Sequence, residues 1–329
     1  MPRNPYYDGP VSDHFDGLRF FPPGGARDKS LGDLFRFLRD ARAKRAPWPK
    51  NPPTLPCPTP PTRVQGSSIR VTSIGHSTFL VQTEGVNLLT DPVWSEHAGP
   101  WGVLGPKRAT APALRIEELP PLDAILLSHN HYDHMDLPTL SKLASARPCP
   151  VLTPLGNDSI LKKHDPRIDA RALDWGASAQ VAGLPVTLAP ALHWSARGRG
   201  DRRMALWGSF VIAAGAGPIY YAGDTGYGDG SLFPEIARRY GHPRLALLPI
   251  GAYAPRWFMS DQHCDPDEAV AIFSALGAER AIGCHWGTFR LTDEPYDEPP
   301  RRLIEALAAA GIAAERFVAP APGGVVEIK

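Results

Sequence analysis

Short apolar runs recur along the chain from residue 69 onwards, and several of them end directly on a glycine, a histidine or an aspartate. Runs of this kind, with little polar alternation, are typical of strands buried inside a layered protein. The pattern predicts strands at residues 69–72, 78–81, 86–89, 124–127, 151–153, 186–188, 245–249 and 281–284. The runs at 207–212 and 219–222 are predicted to pair as a hairpin.

Helical periodicity replaces the strand pattern in three places in the same part of the chain. Residues 137–146 are predicted to form a helix that carries Pro138 in its first turn, where the missing N–H costs nothing. A second helix is expected to start after Asp265, because Asp265 and Glu268 have the spacing of a capping box. A third helix is expected near residues 301–310.

The first 64 residues have a different character. Residues 1–30 are rich in glycine, proline and aromatic side chains and are expected to lie as an arm on the rest of the protein. Residues 30–45 predict a short amphipathic helix, which either docks on the core or contacts an anionic membrane surface through its basic flank. Residues 51–62 hold six prolines and predict an extended linker. We therefore divide the chain into an N-terminal extension, 1–64, and a main domain, 65–329.

The most concentrated candidate chemistry lies directly after the strand predicted at 124–127. His129, His131, Asp133 and His134 bring three imidazoles and a carboxylate together within six residues. These are ligand types that borderline divalent metal ions prefer, with zinc the first expectation and iron or manganese the next. Without a metal ion, the desolvation and mutual repulsion of these groups would be uncompensated. The sequence therefore predicts a metal site at the edge of a sheet.

Other apolar runs end on residues of the same kind. His193, Asp224 and His285 each follow a predicted strand, and glycines on both sides of Asp224 allow a close approach of the backbone. Asp91, at the end of another strand, is expected to contact the site from behind. His76 lies between two strands and is expected to be structural, because a supporting histidine is commoner than an extra ligand.

Taken together, these residues resemble the metallo-β-lactamase superfamily, whose members are αββα sandwiches with a dinuclear metal site. Residues 250–259, 262–270 and 285–289, together with 129–134, resemble the N-acyl-phosphatidylethanolamine-hydrolysing phospholipase D family in particular. The similarity runs over most of the chain from residue 71 to residue 317. It implies an α/β fold of two mixed β-sheets flanked by helices, with residues 65–329 as the catalytic domain.

The resemblance also implies a ligand set for two zinc ions per chain. One zinc would be held by His129, His131 and His193, the other by Asp133, His134 and His285, with Asp224 bridging the two. The expected nucleophile is a hydroxide shared by both ions, because coordination lowers the pKa of water to about 7. Attack at phosphorus would convert a phospholipid substrate, N-acyl-phosphatidylethanolamine, into phosphatidic acid and an N-acylethanolamine.

Further roles follow from the same resemblance. Tyr132 and His263 are expected to contact the substrate, and Asp133, Asp224 and His263 to take part in catalysis. His263 also immediately precedes a predicted helix start, where the positive end of the helix dipole suits an anion. Ala254 departs from the family pattern, in which animal members are expected to have an acidic residue. Because of this difference, the resemblance does not predict the detailed contacts between the protein and its substrate.

Two other functions remain alternatives. One is a metal-dependent lactonase or another small-molecule hydrolase of the same superfamily. The other is a non-catalytic lipid-binding protein with a structural metal centre. The second is disfavoured because structural zinc sites are closed and usually hold a single ion, whereas this chain offers ligands for two.

Composition and charge limit the binding partners and the cellular compartment that we expect for this protein. The chain has 329 residues and a formal net charge of +1, which argues against a nucleic-acid partner. Cys57, Cys149, Cys264 and Cys284 show no paired spacing and indicate reduced thiols. With no apolar run of membrane-spanning length and no signal core, we expect a cytoplasmic protein. Peripheral contact with the inner membrane surface through the N-terminal region, and a homodimer, are left open.

Overall fold

The computed structural model describes residues 3–22, 29–44, 46–50, 52 and 54–329. The predicted arm, helix and linker extend over residues outside this range, namely 1–2, 23–28, 45, 51 and 53. Those parts of the three predictions lie outside the described residues.

The helices and strands alternate along most of the chain. The helices are α1 (Leu31–Lys44), α2 (Leu137–Ala146), α3 (Asn157–His164), α4 (Leu232–Tyr240), α5 (Arg256–Met259), α6 (Pro266–Leu276) and α7 (Glu298–Ala309). The first strands are β1 (Ile69–Gly75), β2 (Thr78–Thr83), β3 (Val86–Thr90), β4 (Ala124–Leu126), β5 (Val151–Pro154), β6 (Ala170–Leu173) and β7 (Ser178–Val181). The remaining strands are β8 (Leu184–Ala189), β9 (Ser209–Ile212), β10 (Ile219–Tyr221), β11 (Leu245–Pro249), β12 (Arg280–Cys284), β13 (Phe317–Val318) and β14 (Val325–Ile328).

The strands form two mixed seven-stranded sheets. The first has the order β14-β1-β2-β3-β4-β5-β6, and the second has the order β13-β12-β11-β10-β9-β8-β7. In each sheet one half is antiparallel and the other half is parallel, with the change at β3 in the first sheet and at β10 in the second. The predicted hairpin is present as the antiparallel pair of β9 and β10.

Alternate side chains of the strands point into different hydrophobic layers, as the pleat requires. In β11, Leu245 and Leu247 belong to the cluster between the two sheets, whereas Ala246 and Leu248 pack with residues of α4, α6 and α7. In β2, Phe79 enters the central cluster. Side chains on the opposite face of the first sheet pack with α2 and α3. Both faces of both sheets are therefore covered, and the αββα sandwich implied by the resemblance is confirmed.

The N-terminal arm is part of the central core. Phe15 and Phe20 are fully buried in the cluster between the sheets, and their rings lie 4.5 Å apart. Asn4 Nδ2 donates hydrogen bonds to the carbonyl oxygens of Leu18 and Met204, both at 2.8 Å. The arm thus lies on the main domain, as expected. The division of the chain at residue 64 stays a prediction.

Helix α1 contacts the segment around α5. The ring of Phe37 stacks on the ring of Phe258 at 4.5 Å, and the Arg36 guanidinium lies 4.2 Å from the centre of the Trp257 ring. Just before the helix, Lys29 forms an ion pair of 2.6 Å with Asp261. These contacts favour the docked alternative over the membrane-bound one. Among the described residues, every helix is too short or too polar to cross a bilayer.

Candidate metal centre

The predicted ligands come from loops that follow the strands at one edge of the sandwich. His129 lies just beyond β4, Asp224 just beyond β10, and His285 directly after β12, all of them strands with a parallel neighbour. His193 follows β8. Because each strand is buried and hydrogen-bonded on both sides, these loops start from fixed points and their polar side chains can converge.

Three imidazole nitrogens converge in the first half of the centre. His131 Nδ1 lies 2.9 Å from His129 Nε2 and 3.2 Å from His193 Nε2. Nitrogens bound to one tetrahedral zinc ion at 2.0–2.1 Å would be about 3.3 Å apart, so this spacing fits a shared ion. His193 Nδ1 donates to the carbonyl oxygen of Gln262 at 2.9 Å, which directs Nε2 towards the other two rings.

The second half combines a carboxylate with two imidazoles. Asp133 Oδ2 lies 3.2 Å from His285 Nε2 and 3.5 Å from His134 Nε2. His76 Nε2 lies 3.0 Å from the same carboxylate oxygen, and the His76 ring is 4.1 Å from the His285 ring. His76 also stands with Asp133, His134 and His285 in a group whose ligand atoms could hold one metal ion, so the structural role that we expected for this histidine stays a prediction.

Asp224 lies between the two halves. Its Oδ2 is 3.1 Å from both His134 Nε2 and His285 Nε2. The same oxygen is 3.7 Å from His193 Nε2 and 3.9 Å from His129 Nε2. Asp224 Oδ1 is buried and makes no hydrogen bond with any described residue. Such an orphaned, buried carboxylate oxygen among imidazoles fits a group that coordinates metal ions.

The electrostatics of the two halves differ. Burial lowers the pKa of His131 and of His193 to about 3, so both rings are in the neutral form that binds metals. Burial also acts on His285, but Asp224 and Asp133 outweigh it and raise the pKa of that ring to about 9. Burial opposes the ionisation of the two carboxyls, yet the neighbouring His134 holds the pKa of each well below its usual range.

Asp91 supports ligands of both halves from behind. Its Oδ2 accepts hydrogen bonds from His134 Nδ1 at 2.6 Å, from the Tyr221 hydroxyl at 2.5 Å and from the Ser128 hydroxyl at 2.5 Å. The Ser128 oxygen lies 2.9 Å from His129 Nδ1, and Ser128 N donates to Asp91 Oδ1 at 2.7 Å. One buried carboxylate therefore orients His134 directly and His129 through Ser128. The expected contact of Asp91 with the site is present.

The backbone around the centre is tightly constrained. His285, His76 and Asp91 have φ values of +62°, +57° and +28°, in the left-handed region that non-glycine residues seldom adopt. Gly223 has a φ of +59°, and a Cβ atom there would lie 2.6 Å from the Cβ of Ser128. Asp224 can therefore approach the loop of residues 128–134, which carries four of the proposed ligands and is called the ligand loop below, only because glycine precedes Asp224. Conformations of this kind concentrate at functional sites.

The two predicted substrate-contacting residues have different surroundings. The ring of His263 is buried 5.1 Å from the His193 ring and 5.3 Å from the His285 ring, and its Nδ1 is 3.9 Å from Asp224 Oδ2. Burial lowers the pKa of His263 to about 3. The hydroxyl of Tyr132 donates to the carbonyl oxygen of Arg197 at 2.6 Å.

Arg197 braces the ligand loop. Its Nη1 donates to the carbonyl oxygens of Asn130 and Met135 at 2.9 and 2.8 Å, and its guanidinium lies 4.1 Å from the centre of the Tyr132 ring. Arg197 is the first of four basic residues at 197–203, a cluster whose charge could attract an anionic head group or lie in solvent. Arg197 does not lie free in solvent, because its Nη1 is hydrogen-bonded to the loop that carries the ligands.

Helix α6 fixes the position of His263. The capping box forms as predicted, with Asp265 Oδ1 accepting from Glu268 N at 3.0 Å and Glu268 Oε2 accepting from Asp265 N at 3.1 Å. Glu268 also accepts from Arg256 Nη2 at 2.6 Å, and Arg256 Nη1 donates to the carbonyl oxygen of His263 at 2.7 Å. The helix cap and the His263 backbone are therefore one connected network.

Two residues that support the site are not predicted by the sequence. Tyr221 was treated as an apolar strand residue, yet its hydroxyl is one of the donors to Asp91. Glu294 is buried and accepts from the backbone N–H groups of Ala252 and Ala254 at 2.6 and 3.1 Å, which holds the loop before α5. Neither residue lies in a motif, so no local signal could have marked it. None of the four cysteines belongs to a metal-competent grouping of the described residues.

Comparison with known proteins shows the family to which the chain belongs. Residues 86–286 match the Beta-lactamase superfamily domain, and the chain belongs to that superfamily. The solved structure of Igni18, a metallo hydrolase from Ignicoccus hospitalis, has the same fold, with a TM-score of 0.59 and 21% identity. The match covers 80% of this chain and 99% of Igni18. The protein is therefore a metallo-hydrolase of the β-lactamase superfamily.

Within this class, two of the similar proteins are enzymes of the same named kind. The chain is 38% identical over 253 residues to N-acyl-phosphatidylethanolamine-hydrolyzing phospholipase D 1 of Caenorhabditis elegans. That match covers 74% of this chain and 71% of the worm protein. The chain is 37% identical over 281 residues to the mitochondrial N-acyl-phosphatidylethanolamine-hydrolyzing phospholipase D of Saccharomyces cerevisiae, a match that covers 82% of this chain and 58% of the yeast protein. The resemblance found in the sequence is confirmed.

Proposed function

We propose that the protein is a zinc-dependent phosphodiesterase that hydrolyses N-acyl-phosphatidylethanolamine in the manner of a phospholipase D. The observation that carries the proposal is the position of Asp224 Oδ2, within 3.1–3.9 Å of imidazole nitrogens from both halves of the centre. The similarity to the worm and yeast enzymes supplies the substrate class.

The residues present fit two metal ions. His129, His131 and His193 would hold one ion, Asp133, His134 and His285 the other, and Asp224 would contact both. Bound zinc ions would supply an acidified water as nucleophile and offset charge on the phosphoryl group. Asp91, Ser128 and His76 hold the proposed ligands in place through hydrogen bonds with His134, His129 and Asp133, respectively.

His263 and Tyr132 are the proposed contacts with the substrate. His263 is neutral, because burial lowers its pKa, and its ring N–H can donate a hydrogen bond to a phosphoryl oxygen without adding charge to the pocket. Its backbone is held by Arg256, so the ring is positioned before the substrate arrives. Tyr132 lies between two of the proposed ligands in sequence and presents its ring to a neighbouring pocket. The cytoplasmic location, the peripheral membrane contact and the homodimer stay predictions.

Product analysis tests the proposal directly. Purified, zinc-loaded protein is mixed with N-acyl-phosphatidylethanolamine in detergent, and the products are identified by mass spectrometry. We expect phosphatidic acid and an N-acylethanolamine from the wild type. Asp224→Asn should form neither, because it removes a carboxylate shared by both halves of the centre. Asp229→Asn is the matched control, since Asp229 is exposed and bonds only with Ser231 among the described residues.

The outcome separates the proposal from its alternatives. Intact lipid with zinc bound would refute the phospholipase function and direct attention to soluble lactones. Full turnover by Asp224→Asn with a full complement of zinc would refute the assignment of the centre even if the lipid were cleaved.

A further inference from the structure

The loop between β3 and β4 exposes a concentrated group of apolar side chains. Trp101, Val103 and Leu104 are 76%, 63% and 53% exposed and lie within four residues of one another. Scattered apolar residues on a surface need no explanation, but a large aromatic and two aliphatic side chains on one short loop indicate an interaction site.

The loop is firmly folded. Ala98 N donates to the carbonyl oxygen of Pro106 at 2.9 Å, and His97 N donates to that of Gly102 at 3.2 Å. Gly99 packs so closely that a Cβ atom would lie 2.0 Å from the Leu104 carbonyl oxygen. Trp101 itself has a φ of +56°, a conformation that tryptophan seldom adopts. The three side chains are thus held outwards by a constrained backbone.

The base of the loop adjoins the catalytic centre. Gly99, Pro100 and Trp101 line a cavity of about 360 Å³ together with Tyr132 and Arg197. Tyr132 lies between two proposed metal ligands, and Arg197 braces the loop that carries them. Trp101 therefore shares a pocket with Tyr132, which is the sequence neighbour of two proposed metal ligands.

We infer that this loop, residues 99–105, inserts Trp101, Val103 and Leu104 into a lipid surface, so that the adjoining pocket opens towards lipid. The inference rests on the proposed function, which needs a substrate embedded in lipid. The patch exposes on the order of 400 Å², whereas a stable dimer needs about 800 Å² from each partner. Tryptophan is also the side chain best suited to the boundary between water and hydrocarbon.

Flotation with vesicles tests the loop without requiring turnover. Full-length, zinc-loaded protein is mixed with vesicles of phosphatidylcholine and phosphatidylethanolamine, and the bound fraction is measured. We expect Trp101→Asn and Leu104→Ser each to weaken binding about tenfold or more, since each removes buried apolar area. Asparagine tolerates the left-handed backbone at residue 101, so the first variant keeps the loop conformation.

Two control variants separate this loop from other apolar surfaces. Ile304→Ser removes an aliphatic side chain that is 60% exposed on α7 and should leave vesicle binding unchanged. Phe35→Ser removes an aromatic side chain that is 70% exposed on α1 and tests the alternative contact through the N-terminal helix. Loss of binding in Phe35→Ser, with normal binding in both loop variants, would overturn the inference.

The remaining outcomes are equally decisive. A wild type that does not bind vesicles, or a dimer in sedimentation that Trp101→Asn dissociates, would also overturn the inference, the latter in favour of a second copy of the chain. Loop-dependent binding without cleavage of N-acyl-phosphatidylethanolamine would instead refute only the proposed function. Cleavage of the lipid in vesicles that is unaffected by both loop variants would refute only the lipid-surface inference.

Discussion

Substitution of Asp91 by asparagine should weaken both metal binding and the fold. Asp91 Oδ1 accepts from Ser128 N, and Oδ2 accepts from His134 Nδ1, from the Ser128 hydroxyl and from the Tyr221 hydroxyl. Asparagine has a single carbonyl oxygen. Whichever way its amide is turned, its NH₂ group faces either the backbone N–H of Ser128 or the ring N–H of His134.

The size of the effect follows from these contacts. The two hydroxyls can rotate to new acceptors, but a ring N–H and a backbone N–H cannot, so one buried donor is left unpaired. Loss of a hydrogen bond to a charged acceptor, with its partner left buried, costs about 3 kcal/mol. With an unfolding entropy of about 2.1 cal/mol/K per residue, that corresponds in a chain of 329 residues to a fall in Tm of roughly 4 °C. Disturbing His134 and His129 from behind should weaken zinc binding about 10–100-fold.

A matched substitution separates the two effects. Asp136 is also buried and accepts from the backbone N–H groups of Trp94 and Ser95 and from the hydroxyls of Ser95 and Thr139, but it contacts none of the proposed ligands. Both backbone N–H groups bond to Asp136 Oδ2, so an asparagine carbonyl oxygen can replace it, and the NH₂ group then faces only the Ser95 hydroxyl, which can rotate. Asp136→Asn should therefore lower the Tm of the metal-free protein less than Asp91→Asn does and leave the zinc affinity unchanged. Calorimetry with and without a chelator, and competition with a chromophoric zinc chelator, measure the two quantities. Equal zinc affinities in the two variants would refute the argument.

Three further predictions concern the surroundings of the centre. Removal of zinc by a chelator should lower the free energy of unfolding by about 4 kcal/mol for each ion that is present at a thousand times its Kd, and readdition should restore it. Tyr6→Phe removes a hydroxyl that donates to Asp201 at 2.9 Å, and should cost about 1 kcal/mol in denaturant unfolding with the zinc content unchanged. Arg256→Gln frees the carbonyl oxygen of His263 and should raise KM for the lipid without loss of zinc; a loss of zinc would show that Arg256 supports the metals instead.

The predicted elements that the structure contains are those whose formation depends on residues close together in the chain. Helix α2 spans the predicted residues, and α6 starts at Pro266 and is followed by Gly277 in the left-handed conformation, as its capping box indicated. The buried strands were recognisable because both of their faces are covered and few polar residues interrupt them. The ligand loop was recognisable because four candidate ligands are concentrated within six residues.

Elements with weaker local patterns were not anticipated. Helix α3 is short and mostly polar, and α4 has only nine residues, although its apolar side chains lie on one face. Strand β13 has two residues and β14 has four, and both lie at sheet edges. These elements form because a neighbouring surface is available to cover them, and periodicity in a single chain does not show that surface.

The sequence by itself determined the fold class, the candidate ligands and the order in which the strands deliver them. Only the tertiary structure decided that Asp91 and Tyr221 meet behind the histidines, and that the N-terminal arm enters the core at Phe15. The reason is physical. Ligand type and strand burial depend on residues close together in the chain, whereas distances across the centre depend on how two sheets pack.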